Sequence, residues 1–194
     1  MELVARNPCS GFPDNETTDR DRHLFPHEIK AFWPLLSAVL KVVLLTGQRP
    51  GEVAHMRWEH IVDDWWCLPG FPQPDKKWPG TKNKRNHRVY LSAAVRQLIG
   101  SGSSGFVFPR RHDLDEVMRD ICEMLAVAEK VTPRDLRRTF GTMVTRLKFG
   151  REAMDRILNH KKKTTTDVYD RYGYLEEDER IMEAVAAKIL ELAG

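Results

Sequence analysis

Four short segments of the sequence place basic or nucleophilic side chains where they could act on a phosphate group. In the first, TGQRPGEV, Arg49 comes directly before a predicted helix start, where backbone N–H groups and the positive end of the helix dipole also favour an anion. Glu52, three residues further on, could hold the guanidinium in place. Taken alone, this octapeptide is equally compatible with an ordinary Arg–Glu pair on the surface.

The second and third segments add further cations. GTKNKRNHRVYLS predicts a basic hairpin tip that could project the ammonium of Lys82 into a ligand, although such charge runs are often only solvated turns. TPRDLRRT spaces Arg134 and Arg137 three residues apart, on one face of a predicted helix. Two guanidinium forks on that face could bind a phosphate bidentately. The alternative is a pair of surface arginines beside Asp135.

The fourth segment supplies a candidate nucleophile. ILNH ends in His160 at a predicted helix end, and Tyr169 follows nine residues later, beyond a linker rich in lysine and threonine. A tyrosine by itself is normally a packing residue, and Tyr172 and Tyr174 lie close by in the sequence. In order, the four segments supply Arg, Lys, Arg-x-x-Arg, His and Tyr.

The elements that position these residues must fit in one domain, because 194 residues is the usual length of a single domain. An apolar fraction of 41% excludes a disordered chain. The longest apolar stretch, from Leu35 to Leu45, is too short to cross a bilayer, and the N-terminus lacks a signal peptide, so we expect a cytoplasmic protein. Three cysteines far apart form neither a CxxC pair nor a zinc pattern.

Charge is distributed unevenly along the chain, although the net charge is only +3. Residues 76–96 contain seven bases and no acid, and residues 134–163 contain ten bases against three acids. Residues 175–194 contain six acids and two bases. This pattern predicts one positive face, which is typical of proteins that bind a polyanion.

Hydrophobic periodicity predicts a chain that is mainly helical with one small sheet. Apolar residues three or four apart predict a short helix ending near Trp33, and Pro34 fits the first turn of a second helix that ends at Gly47. The predicted fold class is therefore α+β, mainly α, with one small antiparallel β-sheet. Short strands are predicted at 61–62, 65–68 and 89–91, and further helices from Pro50, from Ser92 to Ile99, over 113–128, from Thr132 to Gly150, up to Asn159, and at the C-terminus.

In this order, the segments resemble the tyrosine recombinases, specifically the integrases of phages and genomic islands. The resemblance covers roughly residues 23–180. It rests on LLTGQRPGEV, GTKNKRNHRVYLS, GFVFP, TPRDLRRTF, ILNH and VYDRYGYLEE, which match the family's landmarks in the family's order. It implies a helical catalytic domain that cleaves and rejoins DNA strands through a 3′-phosphotyrosyl intermediate and so integrates or excises a phage or genomic island.

The resemblance also implies roles for single residues. Arg49 and Arg137 would clamp the phosphate, and Lys82 would be the general acid for the leaving 5′ oxygen. His160 would be a further hydrogen-bond donor, and Tyr169 would be the nucleophile. Supporting contacts are expected from Glu52 and Asp135, and DNA contacts from Lys84, Arg85, Arg88, Arg138, Lys161, Lys162 and Lys163.

Arg134 departs from the family pattern, because it stands where relatives usually have the histidine of a His-x-x-Arg motif. Arginine stays protonated, so it can donate hydrogen bonds but cannot accept the proton of the tyrosine. We therefore expect Arg134 to be a third phosphate donor of the catalytic set, and the proton acceptor stays open. Tyr90 is a milder departure, since relatives often have proline before Leu-Ser.

Domain organisation and partners follow from the same resemblance. Residues 1–22 are expected to be the linker after an absent core-binding domain and 23–194 the catalytic domain, so the chain is interpreted as a catalytic-domain fragment. The acidic segment 175–194 is expected to contact a neighbouring protomer or, alternatively, to pack on its own domain. Expected partners are double-stranded DNA attachment sites, a homo-tetramer on DNA that is monomeric when free, and accessory DNA-bending proteins. No cofactor, metal or membrane is expected.

Three alternative functions remain open from the sequence. A type IB topoisomerase-like enzyme would share the chemistry without needing paired sites. A DNA-binding module of the same fold could have lost catalysis through the change at Arg134. An unrelated helical interaction protein would show no salt-sensitive DNA binding.

Overall fold

The computed structural model describes residues 21–108, 113–160 and 174–194. Within these ranges, eight helices and three strands confirm the predicted α+β, mainly helical class. None of the helices in the described ranges is long and apolar enough to span a bilayer. The elements are α1 (Pro26–Phe32), α2 (Ala38–Thr46), α3 (Pro50–Ala54), β1 (Ile61–Val62), β2 (Trp65–Leu68), β3 (His87–Tyr90), α4 (Ala93–Ile99), α5 (Leu114–Met124), α6 (Pro133–Arg146), α7 (Gly150–Ile157) and α8 (Leu175–Ala193).

The sheet is an antiparallel meander in the order β1-β2-β3. Trp66 of β2 pairs in register with Val89 of β3, and both side chains are buried. Because successive residues of a strand point to opposite faces, Cys67 between Trp66 and Leu68 is exposed while its neighbours lie in the core. The long connection between β2 and β3, residues 69–86, is here called the β2–β3 loop.

The central helix is α2, whose residues from Val42 to Thr46 are all fully buried. A helix that is apolar on all sides must be enclosed by its neighbours. Helices α6, α8, α4 and α3 pack around it, and α1 packs against α8. The core therefore surrounds the helix that leads directly into the turn carrying Arg49.

The C-terminal helix α8 packs on its own domain. Ile181, Val185 and Ile189 are fully buried, and Leu192 is packed against the same core. Helices α1, α2 and α6 cover the apolar stripe of residues 175–194 within the same chain. A contact between this segment and a neighbouring protomer stays a prediction.

Three boundaries differ from the sequence predictions. Pro34 lies in a turn between α1 and α2 rather than in the first turn of α2, which begins after an extended Ser37. Gly150 begins α7 rather than ending α6, since Lys148 adopts a left-handed conformation (φ 65°) and turns the chain after Arg146. Arg22, expected in the linker, is buried and paired with Glu28.

Candidate active site

The end of α7 collects hydrogen bonds from several distant parts of the chain. The carbonyl oxygens of three successive residues, 157–159, accept side-chain hydrogen bonds from the turn after α2, from β3, from α6 and from the β2–β3 loop. These helix-end carbonyls have no partner within the helix, so outside donors satisfy them. The donors are Gln48 (3.0 Å) and His87 (2.9 Å) to Ile157, Arg137 (2.6 Å) to Leu158, and Asn83 (3.0 Å) to Asn159.

Arg137 lies at the centre of this arrangement and is buried. Its Nη1 donates to the carbonyl of Gly47 (2.7 Å), and its Nη2 to the carbonyl of Leu158 and to Nε2 of His160 (2.9 Å). Burial, with the nearby Arg49 guanidinium, lowers the pKa of Arg137 to about 10, so it stays a cation at neutral pH. The site thus holds a positive charge that is already largely dehydrated before any anion binds.

Arg49 and the β2–β3 loop are joined through Glu52. Arg49 caps α3 and donates through Nη1 to Oε1 of Glu52 (3.3 Å), as its spacing predicted. The same carboxylate oxygen accepts the backbone N–H of Lys82 (3.2 Å). One nearly buried carboxylate therefore holds both the arginine and the backbone of the lysine, while the Lys82 side chain is exposed.

His160 follows the end of α7 and is close to half exposed. A guanidinium can only donate, so Nε2 of His160 accepts from Arg137 and the ring proton of the neutral form lies on Nδ1, 3.6 Å from Asp155. Burial lowers the pKa of His160, and the Arg137 and Arg49 charges lower it further. In this arrangement Nε2 of His160 accepts a hydrogen bond and Nδ1–H is the donor of the neutral ring. The donor role towards a phosphate that the family resemblance implies for His160 stays a prediction.

His87 is a site residue that the sequence analysis missed. Its Nε2 donates to the carbonyl of Ile157, and loss of water around the ring lowers the pKa of His87 to about 4, with contributions from Arg137, Arg49 and Arg88. The signal in the sequence was only one histidine within the basic segment that was interpreted as a hairpin tip. Gln48 and Asn83 were missed in the same way.

The start of α6 separates its basic residues into different environments. Thr132 and Asp135 form the capping box of this helix, and Asp135 also accepts from Arg138 (2.7 Å). Asp135 thus supports the start of α6 and holds Arg138. Arg134 is exposed and has no hydrogen bond or ion pair within the described part of the chain, so its guanidinium is available to a ligand.

The remaining candidates are either peripheral or outside the described residues. Lys84 is exposed, and Arg85 is partly buried. Arg88 lies over the ring of Trp65. Tyr174 is one of the alternative nucleophiles. The guanidinium carbon of Arg156 lies over the Tyr174 ring, 4.0 Å from the centre of that ring. Lys161, Lys162, Lys163, Tyr169 and Tyr172 lie outside the described residues.

A cleft of about 550 Å³ opens between the β2–β3 region and the ends of α7 and α8. Its walls include His87, Arg88 and Arg156. Arg156 is engaged by Asp178 and Glu177, so much of its charge is already balanced. In the described ranges, no group of three or more His, Cys, Asp or Glu residues is arranged to hold a metal ion.

The mainly helical fold with its three-stranded sheet is that of the tyrosine recombinase catalytic domains. The family model described as "Phage integrase family" matches residues 28–174 of this chain. These residues include Arg49, Lys82, Arg137 and His160. Because this match spans more than half of the chain, the chain belongs to the phage integrase family. The family resemblance inferred from the sequence is confirmed.

Individual relatives agree with this assignment. Prophage integrase IntF of Escherichia coli (strain K12) is 25% identical over 179 residues, covering 83% of this chain. The chain spans 36% of the length of that relative. Among solved structures, the integrase from mycobacterium phage Brujita has a TM-score of 0.67 at 15% identity, covering 95% of this chain and 67% of that one.

Two structures of the XerH site-specific recombinase are also similar. The pre-cleavage complex bound to difH substrate has a TM-score of 0.53 at 17% identity, covering 80% of this chain and 51% of XerH. The post-cleavage complex bound to a palindromic difH substrate has a TM-score of 0.54 at 17% identity, covering 88% and 54%. At these identities, the similarities establish a shared fold.

Proposed function

We propose that the chain is the catalytic domain of a site-specific DNA recombinase that breaks and rejoins strands through a 3′-phosphotyrosyl intermediate. The observation that carries this proposal is the gathering of cations at the end of α7. There, the Arg137 guanidinium bonds to the turn before Arg49, to the end of α7 and to His160. Glu52 joins Arg49 to the backbone of Lys82.

The proposed cleavage step is an in-line displacement at phosphorus. The ionised oxygen of Tyr169 forms the new P–O bond, and the electrons of the breaking P–O5′ bond pass to the leaving oxygen. Lys82 gives that oxygen a proton, which yields a 5′ hydroxyl and a 3′-phosphotyrosyl link. Arg49, Arg137 and Arg134 stabilise the charge that develops on the non-bridging oxygens. Rejoining is the reverse of these steps and needs no ATP, because one ester replaces another.

We propose that solvent water accepts the proton that the Tyr169 phenol loses. Arg134 is permanently protonated and cannot accept it. His160 offers no free lone pair at Nε2, because that nitrogen accepts a hydrogen bond from Arg137. A phenol brought against these cations is favoured in its ionised form, which lowers the cost of losing the proton.

The biological role is part of the same proposal. The chain would integrate or excise a phage or genomic island, acting on double-stranded attachment sites in the cytoplasm as a homo-tetramer with accessory DNA-bending proteins. The relatives named as prophage and phage integrases support this role, as do the XerH complexes with difH substrate. A catalytically impaired DNA-binding module is the second candidate, and the arginine at position 134 favours it.

The test is covalent capture of DNA. The chain is incubated with a pool of nicked duplexes of randomised sequence, since loss of the short fragment at a nick traps the intermediate, and adducts that resist SDS are isolated and sequenced. We expect an adduct that forms fully in excess EDTA, because arginines and Lys82 supply the positive charge. Loss of the adduct that Mg²⁺ restores would contradict the role given to these cations.

Tyr169→Phe should abolish the adduct and leave DNA binding within about threefold, because the substitution removes the nucleophilic oxygen and changes no charge at neutral pH. Tyr172→Phe and Tyr174→Phe are the matched controls and should retain the adduct. If either control abolishes it while Tyr169→Phe does not, the nucleophile is wrongly assigned. If no variant and no unmodified protein yields an adduct while the duplex is still bound, the DNA-binding module is the better description.

A further inference from the structure

The position of the Lys82 side chain depends on a loop that is tied to the protein on both sides of the lysine. The backbone N–H of Lys82 donates to Glu52, which also holds Arg49. The next residue, Asn83, contacts the end of α7. Lys82 itself is exposed and makes no side-chain hydrogen bond or ion pair in the described part of the chain. Its ammonium is therefore positioned by its backbone alone.

The contact to α7 is a reciprocal pair of asparagine amides. Nδ2 of Asn83 donates to the backbone carbonyl of Asn159 (3.0 Å), and Nδ2 of Asn159 donates to Oδ1 of Asn83 (3.3 Å). Asn159 has a left-handed conformation (φ 54°), which asparagine tolerates better than most residues. The residue after Lys82 is thus bonded to the residue before His160, although 76 positions separate them.

The loop also closes on itself, and Oδ1 of Asn83 takes part in this closure by accepting from Oγ1 of Thr81 (3.1 Å) and from the N–H of Arg85 (3.3 Å). Oγ1 of Thr81 donates to the carbonyl of Arg85 (2.8 Å), and the N–H of Lys84 donates to the carbonyl of Thr81 (3.0 Å). Asn86 ties the same loop internally by accepting the N–H of Gly70 (2.8 Å). The internal bonds of the loop do not link it to α7. The Asn83–Asn159 pair provides that direct link, to the same helix end that binds Arg137.

We propose that Asn83 and Asn159 are positioning residues that fix the Lys82 ammonium against the leaving 5′ oxygen. This inference rests on the proposed function and concerns one step of it, the proton transfer to O5′. A general acid must lie within hydrogen-bond reach of the atom it protonates. A displacement of about 1 Å at such a group can reduce the rate about a hundredfold.

The proposal predicts a defect that is specific to the leaving group. A substrate in which sulfur replaces the bridging 5′ oxygen leaves as a thiolate, which needs no proton. On the oxygen substrate, Asn83→Ala should reduce the single-turnover rate of adduct formation about tenfold to hundredfold. On the sulfur substrate, the same variant should stay within about threefold of the unmodified chain. Lys82→Ala serves as the reference, because it removes the acid itself and should show the same selective rescue.

Two further variants separate positioning from folding. Asn159→Gly removes the side-chain bond but keeps the left-handed conformation and the carbonyl that accepts from Asn83, so its loss on oxygen should be at most about fivefold. Asn86→Ala is the matched control, an asparagine of the same loop that is bonded only within it, and it should change the oxygen and sulfur rates by the same factor. Thermal unfolding of each variant confirms that it is folded.

The outcomes distinguish this inference from the function on which it rests. Equal slowing of both substrates by Asn83→Ala, or no slowing of either, would overturn the positioning role while leaving the recombinase proposal intact. Failure of the unmodified chain to form an adduct with either substrate would overturn both. Adding Asn83→Ala to a Lys82→Ala chain should give no further loss on oxygen, since the asparagine would then have no acid left to position.

Discussion

At the scale of single residues, the site depends on a cation that is dehydrated in advance. Arg137 is buried and uses two of its amino groups on the carbonyls of Gly47 and Leu158. These bonds fix the plane of the guanidinium, and its Nε–H and second Nη1–H make no hydrogen bond in the described part of the chain, so they are available to a phosphate oxygen. A donor fixed in this way needs little rearrangement when charge develops on the phosphate, which is the physical basis of electrostatic preorganisation.

Arg134 is expected to be a third phosphate donor, one helical turn from Arg137. Its guanidinium is exposed and has no partner in the described part of the chain, so it is free to meet a phosphate. Arg134→Ala should slow adduct formation about 10- to 1000-fold, the range for losing a charged transition-state donor. Arg134→Lys should recover only part of this, because an ammonium lacks the planar fork. Cleavage by Arg134→Ala at the unmodified rate would place the residue outside the site.

A histidine at position 134 gives a second measurement for the same residue. Arg134→His should be active, and its pH–rate profile should gain a limb near the ordinary imidazole pKa of about 6.5. The unmodified chain should lack that limb, because its arginine does not titrate in this range. An unchanged profile in Arg134→His would show that the side chain at 134 takes no part in proton transfer.

His87 should make the stability of the domain depend on pH. The pKa of His87 is about 4 in the folded chain and about 6.5 when unfolded, so between these values the unfolded chain binds more protons. Its contribution is complete above pH 6.5 and is lost as the pH falls towards 4, on the order of 3 kcal/mol in all.

The comparison with His87→Gln isolates this contribution. Glutamine keeps an N–H donor for the Ile157 carbonyl and does not titrate, so urea unfolding of the variant should show a smaller loss of stability between pH 6.5 and 4. The pKa values of His60 and His160 are also lowered by burial, and both residues remain in either protein, so only the difference between the two curves reports on His87. Two parallel curves would refute the assignment.

Sequence patterns indicated the candidate cations more readily than the residues that position them. Arginine at a helix start and two arginines three apart are local patterns, and the predicted Arg49–Glu52 contact is present. Gln48, His87 and Asn83 act on carbonyls that lie 109, 70 and 76 positions away. No local pattern encodes such contacts, because they exist only after α7 has packed against α6 and the β2–β3 loop.

At the scale of elements, the turn between α2 and α3 requires a glycine for two reasons. Gly47 has a left-handed conformation (φ 66°), and a Cβ there would lie 2.3 Å from Cδ1 of Phe140 and 2.8 Å from Cδ2 of Leu158. Gly47→Ala should lower the free energy of unfolding by about 2–4 kcal/mol, through backbone strain and overpacking together. It should also displace the carbonyl that holds Arg137.

Gly51, four residues further on in α3, is the matched control for this substitution. A Cβ at Gly51 would meet nothing within 4 Å. Gly51→Ala should therefore be neutral or stabilising by up to about 1 kcal/mol. Urea unfolding of the two variants measures the contrast, and equal effects would show that the close approach of Phe140 is relieved at little cost.

The elements themselves were largely predictable, and their ends were less so. The strands, the capped start of α6 and the final helix follow from period, capping residues and proline positions. The predicted position of Pro34 in the first turn of α2 was wrong, because a proline that fits a helix start also fits the turn that precedes a helix. Gly150 was interpreted as a stop, whereas Lys148 turns the chain and the glycine begins the next helix. Lys148 (φ 65°) and Gly150 (φ 86°) both have positive φ, so a glycine that suits such a conformation did not by itself distinguish the end of one helix from the start of the next.

At the scale of the whole molecule, α8 completes the core. Ile189 is fully buried, whereas its neighbour Leu190 is 39% exposed. Ile189→Ala should therefore lower the free energy of unfolding by about 2–5 kcal/mol, and Leu190→Ala on the same helix should change it by less than about 1 kcal/mol. If α8 instead separated from the domain in solution, the two substitutions would have similarly small effects on chemical unfolding.

The positive face of the β2–β3 loop should attract DNA through its phosphates. Each phosphate that a basic side chain neutralises adds about −0.9 to the slope of log K against log salt concentration. Lys84 is exposed on the β2–β3 loop with no side-chain partner in the described ranges, so Lys84→Ala should reduce the steepness of that slope by about 0.9. Arg119→Ala removes the same charge from a residue already paired with Glu116 and Asp120, and should leave the slope unchanged. Fluorescence anisotropy of a labelled duplex across a salt series measures both. A slope near zero for the unmodified chain, or an equal change in the two variants, would contradict a DNA-binding face centred on this loop.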